Sequence, residues 1–225
     1  MKIDILTLFP KMFESPFDES IIKRAIKNNI IDLKIHNLRD WALDNYGSVD
    51  DKPFGGGVGM LIRPDVVWKA LEKIKEKKRK ENKTRIIMMS ARGKKFDQAK
   101  AEELAKLDQI IILAGHYEGF DQRISDYMID EEISIGEYVL TGGELPAMVI
   151  IDAVTRLLPG VLGKDTSSHD ESWSEIKING KKIRTKEYPQ YTRPQEFMGH
   201  KVPEVLISGD PKKIKEWQLE KRTGK

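Results

Sequence analysis

Residues 133–143 read I-S-I-G-E-Y-V-L-T-G-G. An apolar, strand-like run enters a loop with glycines at 136, 142 and 143, and Pro146 then stands in the first turn of the apolar stretch 144–158. A strand that passes through glycines into a helix offers backbone amides and carbonyls to a ligand more than side chains. The segment therefore reads as a pocket wall.

The same order of strand, then helix, recurs upstream. Residues 2–8 and 31–35 have the character of strands, with a helical stretch over 20–28 between them. Pro64 and Asp65 open a helix whose apolar positions Val67, Ala70, Leu71 and Ile74 keep helical spacing. R-I-I-M-M-S at 85–90 and Q-I-I-I-L-A at 109–114 are too uniformly apolar for a half-exposed strand, and Asp97 caps a helix between them that runs to about 107. Strands alternating with helices predict an α/β fold around a mostly parallel, helix-covered sheet. The charge run 75–83 reads as an exposed helix end and loop.

Residues 163–187 change character. Ser, Asp, Lys and Asn dominate, with N-G at 179 and 180 as a turn signal, and this stretch is expected to be a flexible linker. Beyond it, Y-P-Q-Y-T-R-P at 188–194 is extended by its prolines and Asp210-Pro211 starts a helix that reaches 222. The expected organisation is a main domain over 1–162, the linker, and a small, mainly helical C-terminal domain over 188–225.

With 225 residues and 39% apolar content, the chain can bury a core. No signal pattern opens it, and its longest apolar stretch, within 145–158, is broken by Asp152 and Arg156, so neither export nor a membrane span is expected. The absence of cysteine excludes disulfides and thiolate chemistry and fits a cytoplasmic protein. The four histidines, His36, His116, His169 and His200, show no metal-ligand spacing, so no metal site is expected. The formal charge of +3 is unevenly spread: residues 175–225 carry a net +6 and the rest a net −3. The basic tail is a candidate polyanion surface, or an ordinary solvated helix.

Three glycine-bearing loops each follow an apolar strand: S-A-R-G at 90–93, G-H-Y-E-G at 115–119 and I-G-E-Y-V-L-T-G-G at 135–143. Open parallel sheets bind ligands at the carboxyl ends of their strands, so the three loops are expected to converge on one site. A fourth glycine-rich stretch, D-K-P-F-G-G-G-V-G-M at 51–60, admits a phosphate-cradling nucleotide hydrolase, but lacks the Gly-Lys-Ser/Thr that such a loop needs. Arg156 lies on an otherwise apolar helix, where it either pairs with an acid such as Asp152 or faces a site.

H-Y-E-G-F-D-Q-R at 116–123, G-E-Y-V-L-T-G-G-E-L-P-A-M at 136–148 and Y-T-R-P at 191–194 lie in an order that resembles the bacterial tRNA (guanine-N1)-methyltransferases of the SPOUT class. The resemblance covers nearly the whole chain. It implies a deep trefoil knot, a homodimer with its active site between subunits, S-adenosylmethionine as methyl donor, and a target guanosine immediately 3′ of the tRNA anticodon, whose methylation maintains the reading frame. It leaves any need for a divalent metal open. It also implies a donor site lined by Met88, Met89, Ser90 and Ala91, by Gly115, Tyr117, Glu118 and Gly119, by Ile135, Gly136, Glu137, Tyr138, Val139 and Leu140, and by Gly142, Gly143 and Pro146, with main-chain groups of Ile135, Tyr138 and Leu140 reading adenine. The chain departs from the family at Ala91 and Val58, where proline is usual, and in stopping early at Lys225, which implies a reduced final helical segment.

Methylating guanine N1 needs a base for its proton and a cation for the charge that spreads onto the neighbouring carbonyl. The resemblance gives the cation's role to Arg156. An Asp-Ser-aromatic triplet supplies the base in the family. Here the run is Asp170, Glu171, Ser172, Trp173, so Glu171 takes the role in an ungapped alignment and Asp170 after a one-residue slip. A non-catalytic RNA-binding protein of the same fold is the other reading.

Overall fold

Five strands pair in parallel: β1 (Lys2–Thr7), β2 (Asp32–Asn37), β3 (Thr84–Lys95), β4 (Gln109–Leu113) and β5 (Glu131–Ser134), in the order β2-β1-β4-β3-β5. The structure, a computed structural model, describes residues 1–75, 83–162, 171–178 and 180–223. Most of the charge run at 75–83, residues 163–170 of the expected linker, and Asn179 lie outside the described residues.

Parallel neighbours need crossovers, and helices supply them. These are α1 (Ser20–Lys27), α2 (Pro64–Ile74), α3 (Gln98–Leu104) and α4 (Gln122–Tyr127), while α5 (Glu144–Thr155) follows the last strand and packs on the sheet. Alternate strand residues feed opposite faces of the sheet. Ile3, Ile5, Ile87, Ile110, Ile112 and Ile133 share one core with α1, α3 and α5. Leu6, Ile86, Met88, Ile111 and Leu113 share the other with α2 and α4. Burying side chains of this size is worth about 1.5–3 kcal/mol each, which is what holds two helical layers on one sheet. All five residues of β4 are buried, which explains its apolar run over 110–113, and the buried Gln109 is paired with Asp4. Asp97 caps α3 as its spacing predicts, its carboxylate accepting from Lys100 N at 2.8 Å.

Two features differ from the sequence reading. β3 runs on to Lys95 through a bulge, so that Met89 and Lys94 both pair with Ile133. The polar residues 90–95 hide this extension from an apolar pattern. The short helix α4 also has little apolar signal, with Ile124 as its one buried residue.

The chain divides into two compact units, Met1–Gly163 and Lys164–Lys225. In the second, part of the stretch read as linker forms a hairpin, Glu175–Ile178 with Lys181–Arg184, and Gly180 enters its turn at a φ of +76°. A second small ladder joins Glu196–Phe197 to His200–Lys201 before the helices Glu204–Ile207 and α6 (Pro211–Thr223). Paired strands thus accompany the helices expected there. Among the described residues no helix is long and apolar enough to cross a membrane.

Candidate functional site

The carboxyl ends of β3, β4 and β5 open onto one cavity of about 510 Å³, walled by residues 88–92, 115–120, 133–136 and 138–143 together with Leu61, Gln122 and Pro146. The three glycine-bearing loops are therefore brought together, in the region where an open parallel sheet binds ligands.

Backbone contacts fix the wall. Gly143 N donates to the Gly115 carbonyl at 2.7 Å, which draws the start of α5 against the loop after β4. A Cβ on Gly143 would lie 2.8 Å from Gly115 N and 2.9 Å from Ala114 Cα, backbone that cannot swing aside. Tyr117 adopts a φ of +62°, a conformation that non-glycine residues rarely hold unless surrounding structure imposes it. That imposition is visible: Glu118 N donates to the Met60 carbonyl at 3.1 Å, and Ile62 N to the Gly119 carbonyl at 2.9 Å. The Ser134 hydroxyl donates to the Gly136 carbonyl at 2.9 Å and turns the chain out of β5.

Side-chain polarity is arranged in two groups. Arg92 donates to Gln122 at 3.0 Å and lies 3.6 Å from Glu132, which also accepts from the Ser125 hydroxyl. Burial pushes the Glu132 carboxyl up, but hydrogen bonds from Ser125 and Ser90 and the Arg92 charge outweigh it and hold the group below its ordinary value. The second group is His116, Glu144 and Thr7, at the ends of β4 and β1. Glu144 is 1% exposed and accepts from the Thr7 hydroxyl at 2.8 Å.

Every residue expected at the donor site lines this cavity except Glu137, which is exposed and 3.9 Å from Lys95. Arg92, His116, Phe120, Gln122 and Thr141 line it too, although none was named among the expected donor contacts. Arg92, His116 and Thr141 stood inside the three loops expected to converge, and Phe120 and Gln122 inside the quoted run 116–123.

Of the expected catalytic residues, Arg156 does not line this cavity. Arg156 caps the far end of α5, half-buried, about 20 Å along the helix from Gly143. A cation suits a helix carboxyl end, so burial in an apolar stretch is not the issue it seemed in the sequence. Glu171 belongs to the second unit, where its carbonyl accepts from Arg222 at 3.2 Å and from Ser174 N at 3.1 Å. Asp170 lies outside the described residues. In the stretch 51–60, Gly55, Gly56, Gly57 and Gly59 all take positive φ, and Phe54 is 99% exposed. Among the described residues no three His, Asp or Glu side chains are grouped to hold a metal ion.

Comparison with known proteins bears on the whole chain. The family described as tRNA (Guanine-1)-methyltransferase TrmD matches residues 1–225. A Dehalococcoides mccartyi protein is 51% identical over 220 residues, covering 97% of this chain and 84% of its own length. Carboxydothermus hydrogenoformans has a relative 49% identical over 97% of this chain and 81% of its own, and Bacillus cereus one 48% identical over 97% and 85%. Each of the three is named tRNA (guanine-N(1)-)-methyltransferase.

Proposed function

We infer the reaction from one premise: the chain belongs to the tRNA (guanine-1)-methyltransferase family. It transfers a methyl group to N1 of a guanine in tRNA.

The donor in this reading is S-adenosylmethionine, bound in the cavity at the ends of β3, β4 and β5. The close approach of Gly143 to Gly115 carries the assignment, because it closes two of the cavity's loops on each other through backbone and leaves no room there for a side chain. The cavity also has the size of sites that enclose small organic ligands. Bound there, the donor supplies an electrophilic methyl on a positively charged sulfur. Main-chain groups of 135–140 would hold the adenine, and the passage of residues 142 and 143 beside the 115 loop supports a knotted chain.

Guanine N1 attacks the methyl carbon as the carbon–sulfur bond breaks, with the electron pair going to sulfur and the N1 proton to a carboxylate. Glu171 or Asp170 supplies that carboxylate, and Arg156 stabilises the charge that develops on the guanine carbonyl. Since Arg156 and the cavity lie at opposite ends of α5, we assign Arg156 to the cavity of a second copy, which makes the enzyme an obligate homodimer. The exposed apolar residues Leu145 and Val149 on α5, 50% and 46% exposed, are in keeping with a covered face there. The target is the guanosine immediately 3′ of the anticodon, and the setting is the cytoplasm. Methyl transfer from labelled donor to an unmodified tRNA transcript tests the whole reading: transfer that persists after that guanosine is replaced would overturn the assigned position.

A further inference from the structure

Two buried polar atoms face each other behind the cavity wall, 3.7 Å apart, and neither has a hydrogen-bond partner: His116 Nδ1 and Glu144 Oε2. Buried polar groups are almost always paired, so two orphans opposite one another call for an explanation. Poor packing does not provide one. Thr7 donates to Glu144 Oε1 at 2.8 Å and its own oxygen accepts from Phe9 N at 2.9 Å, which pins the carboxylate from the β1 side. The imidazole is flanked edge-on by Phe9 and Tyr117, with ring centres 4.6 and 5.6 Å away. Gly142 leaves space for the pair, since a Cβ there would meet Glu144 Oε2 and would lie 2.6 Å from His116 Nδ1.

His116 lines the cavity, and among the described residues no partner takes its other ring nitrogen. Two other polar groups in the wall are engaged, Arg92 with Gln122 and Glu132, and the Ser134 hydroxyl with the Gly136 carbonyl, while the exposed Glu118 carboxylate lines the same cavity. His116 sits at the end of β4 next to β1, against Gly142 at the end of the loop after β5, whereas the first residues of that loop leave β5 on the far side of β3. In the donor reading above, on which this inference rests, residues 135–140 hold the adenine, so the other end of the donor reaches towards His116.

We propose that His116 contacts the amino-acid end of the donor, its α-ammonium and α-carboxylate, and that Glu144 is the positioning residue that holds the imidazole for this contact. Glu144 engages Nδ1 as the ring settles on the ligand, and the remaining nitrogen meets the ligand's charged group. An imidazole edge can donate or accept a hydrogen bond, and the residue that engages one nitrogen fixes the role of the other.

Calorimetry on the full chain with two probes tests this. S-adenosylhomocysteine has the amino-acid end, whereas 5′-methylthioadenosine is the same nucleoside thioether without it. His116→Phe keeps the ring packing and removes both nitrogens, His116→Gln keeps a polar tip, and Glu144→Gln removes the charge behind them. The expected result is a loss of about tenfold or more in S-adenosylhomocysteine affinity for His116→Phe, a smaller loss for Glu144→Gln, and a change below about twofold for 5′-methylthioadenosine in both. Equal losses with the two probes would make His116 a shaping residue only and overturn the proposal, as would no loss with either. Should Glu144→Gln fail to fold, the two His116 variants decide the matter, because the ring is partly exposed and outside the core. Failure of the unaltered protein to bind either probe would instead remove the donor site itself, and this proposal with it.

Discussion

Gly143 donates its amide hydrogen to the carbonyl of Gly115 across 2.7 Å, and that one bond joins the start of α5 to the loop that follows β4. Two of the three cavity-lining loops are thereby fixed to each other through backbone alone. The site's shape depends on what glycine lacks.

Gly143→Val is therefore expected to abolish donor binding, because its Cβ alone would stand 2.8 Å from Gly115 N and 2.9 Å from Ala114 Cα. Calorimetry with S-adenosylmethionine, alongside circular dichroism to confirm folding, makes the check. A well-folded variant with unchanged affinity would locate the donor elsewhere.

Acid should unfold the protein partly through Asp4. Its side chain is buried in β1, where desolvation pushes the pKa up, but hydrogen bonds from His36 and Gln109 at 2.8 Å each, together with Lys2 at 3.3 Å, bring it below the ordinary aspartate value. A depressed carboxyl contributes stability above its unfolded pKa and loses it as pH falls through the folded one, so the loss belongs below about pH 4. Asp4→Asn should cost about 1.5–3 kcal/mol near neutrality and flatten that acid limb. Urea titrations at pH 7 and pH 3 measure both, and an equal gap between variant and parent at the two pH values would exclude Asp4 as the group responsible.

The parts of the fold legible in the sequence are those where one physical signal acts alone. β4 is apolar from 110 to 113 because helices cover both faces, and α3 announces itself through Asp97. The continuation of β3 past its bulge is not legible, since pairing with Ile133 is a backbone matter that residues 90–95 do not advertise. The cavity wall could be anticipated loop by loop from glycines after strands. The link from Thr7 to Glu144 could not, because it spans 137 residues and arises only when β1 and α5 meet. The position of Arg156 is a third kind of case: its helix was legible, but which end faces the ligand depends on the tertiary path into α5.

Binding of tRNA should weaken steeply with salt, since lysine contacts to phosphate release counterions. The exposed Lys212 and Lys215 of α6 belong to the segment that holds the chain's positive excess. Replacing both with Gln should lower the slope of log affinity against log salt by roughly one to two. A slope unchanged by the double substitution would return α6 to the status of a solvated helix.

The proposal that Arg156 acts across a dimer is decided by a complementation experiment. Arg156→Ala alone and Gly143→Val alone should each be inactive, the first through the lost cation and the second through the lost donor site. A mixed dimer retains one intact cavity facing one intact Arg156 and should recover up to about half of the parent activity per mixed dimer, as expected when the two sites of a symmetric pair are independent. Co-expression with two affinity tags isolates that species. If Arg156 served the cavity of its own chain, the mixed dimer would stay inactive.

The proposed general base is Glu171, with Asp170 one residue before it as the alternative. Proton removal from guanine needs a carboxylate within hydrogen-bond reach, and Glu is one methylene longer than Asp. Glu171 is held at its backbone, the carbonyl accepting from Arg222 and from Ser174 N, so its reach is set by the side chain. Glu171→Gln should slow the chemical step by roughly two to four orders of magnitude while donor affinity stays nearly unchanged, and Asp170→Asn should do much less. Single-turnover rates at saturating tRNA separate the two residues. A large loss confined to Asp170→Asn would transfer the role to that residue, and full rates in both variants would leave neither as the base.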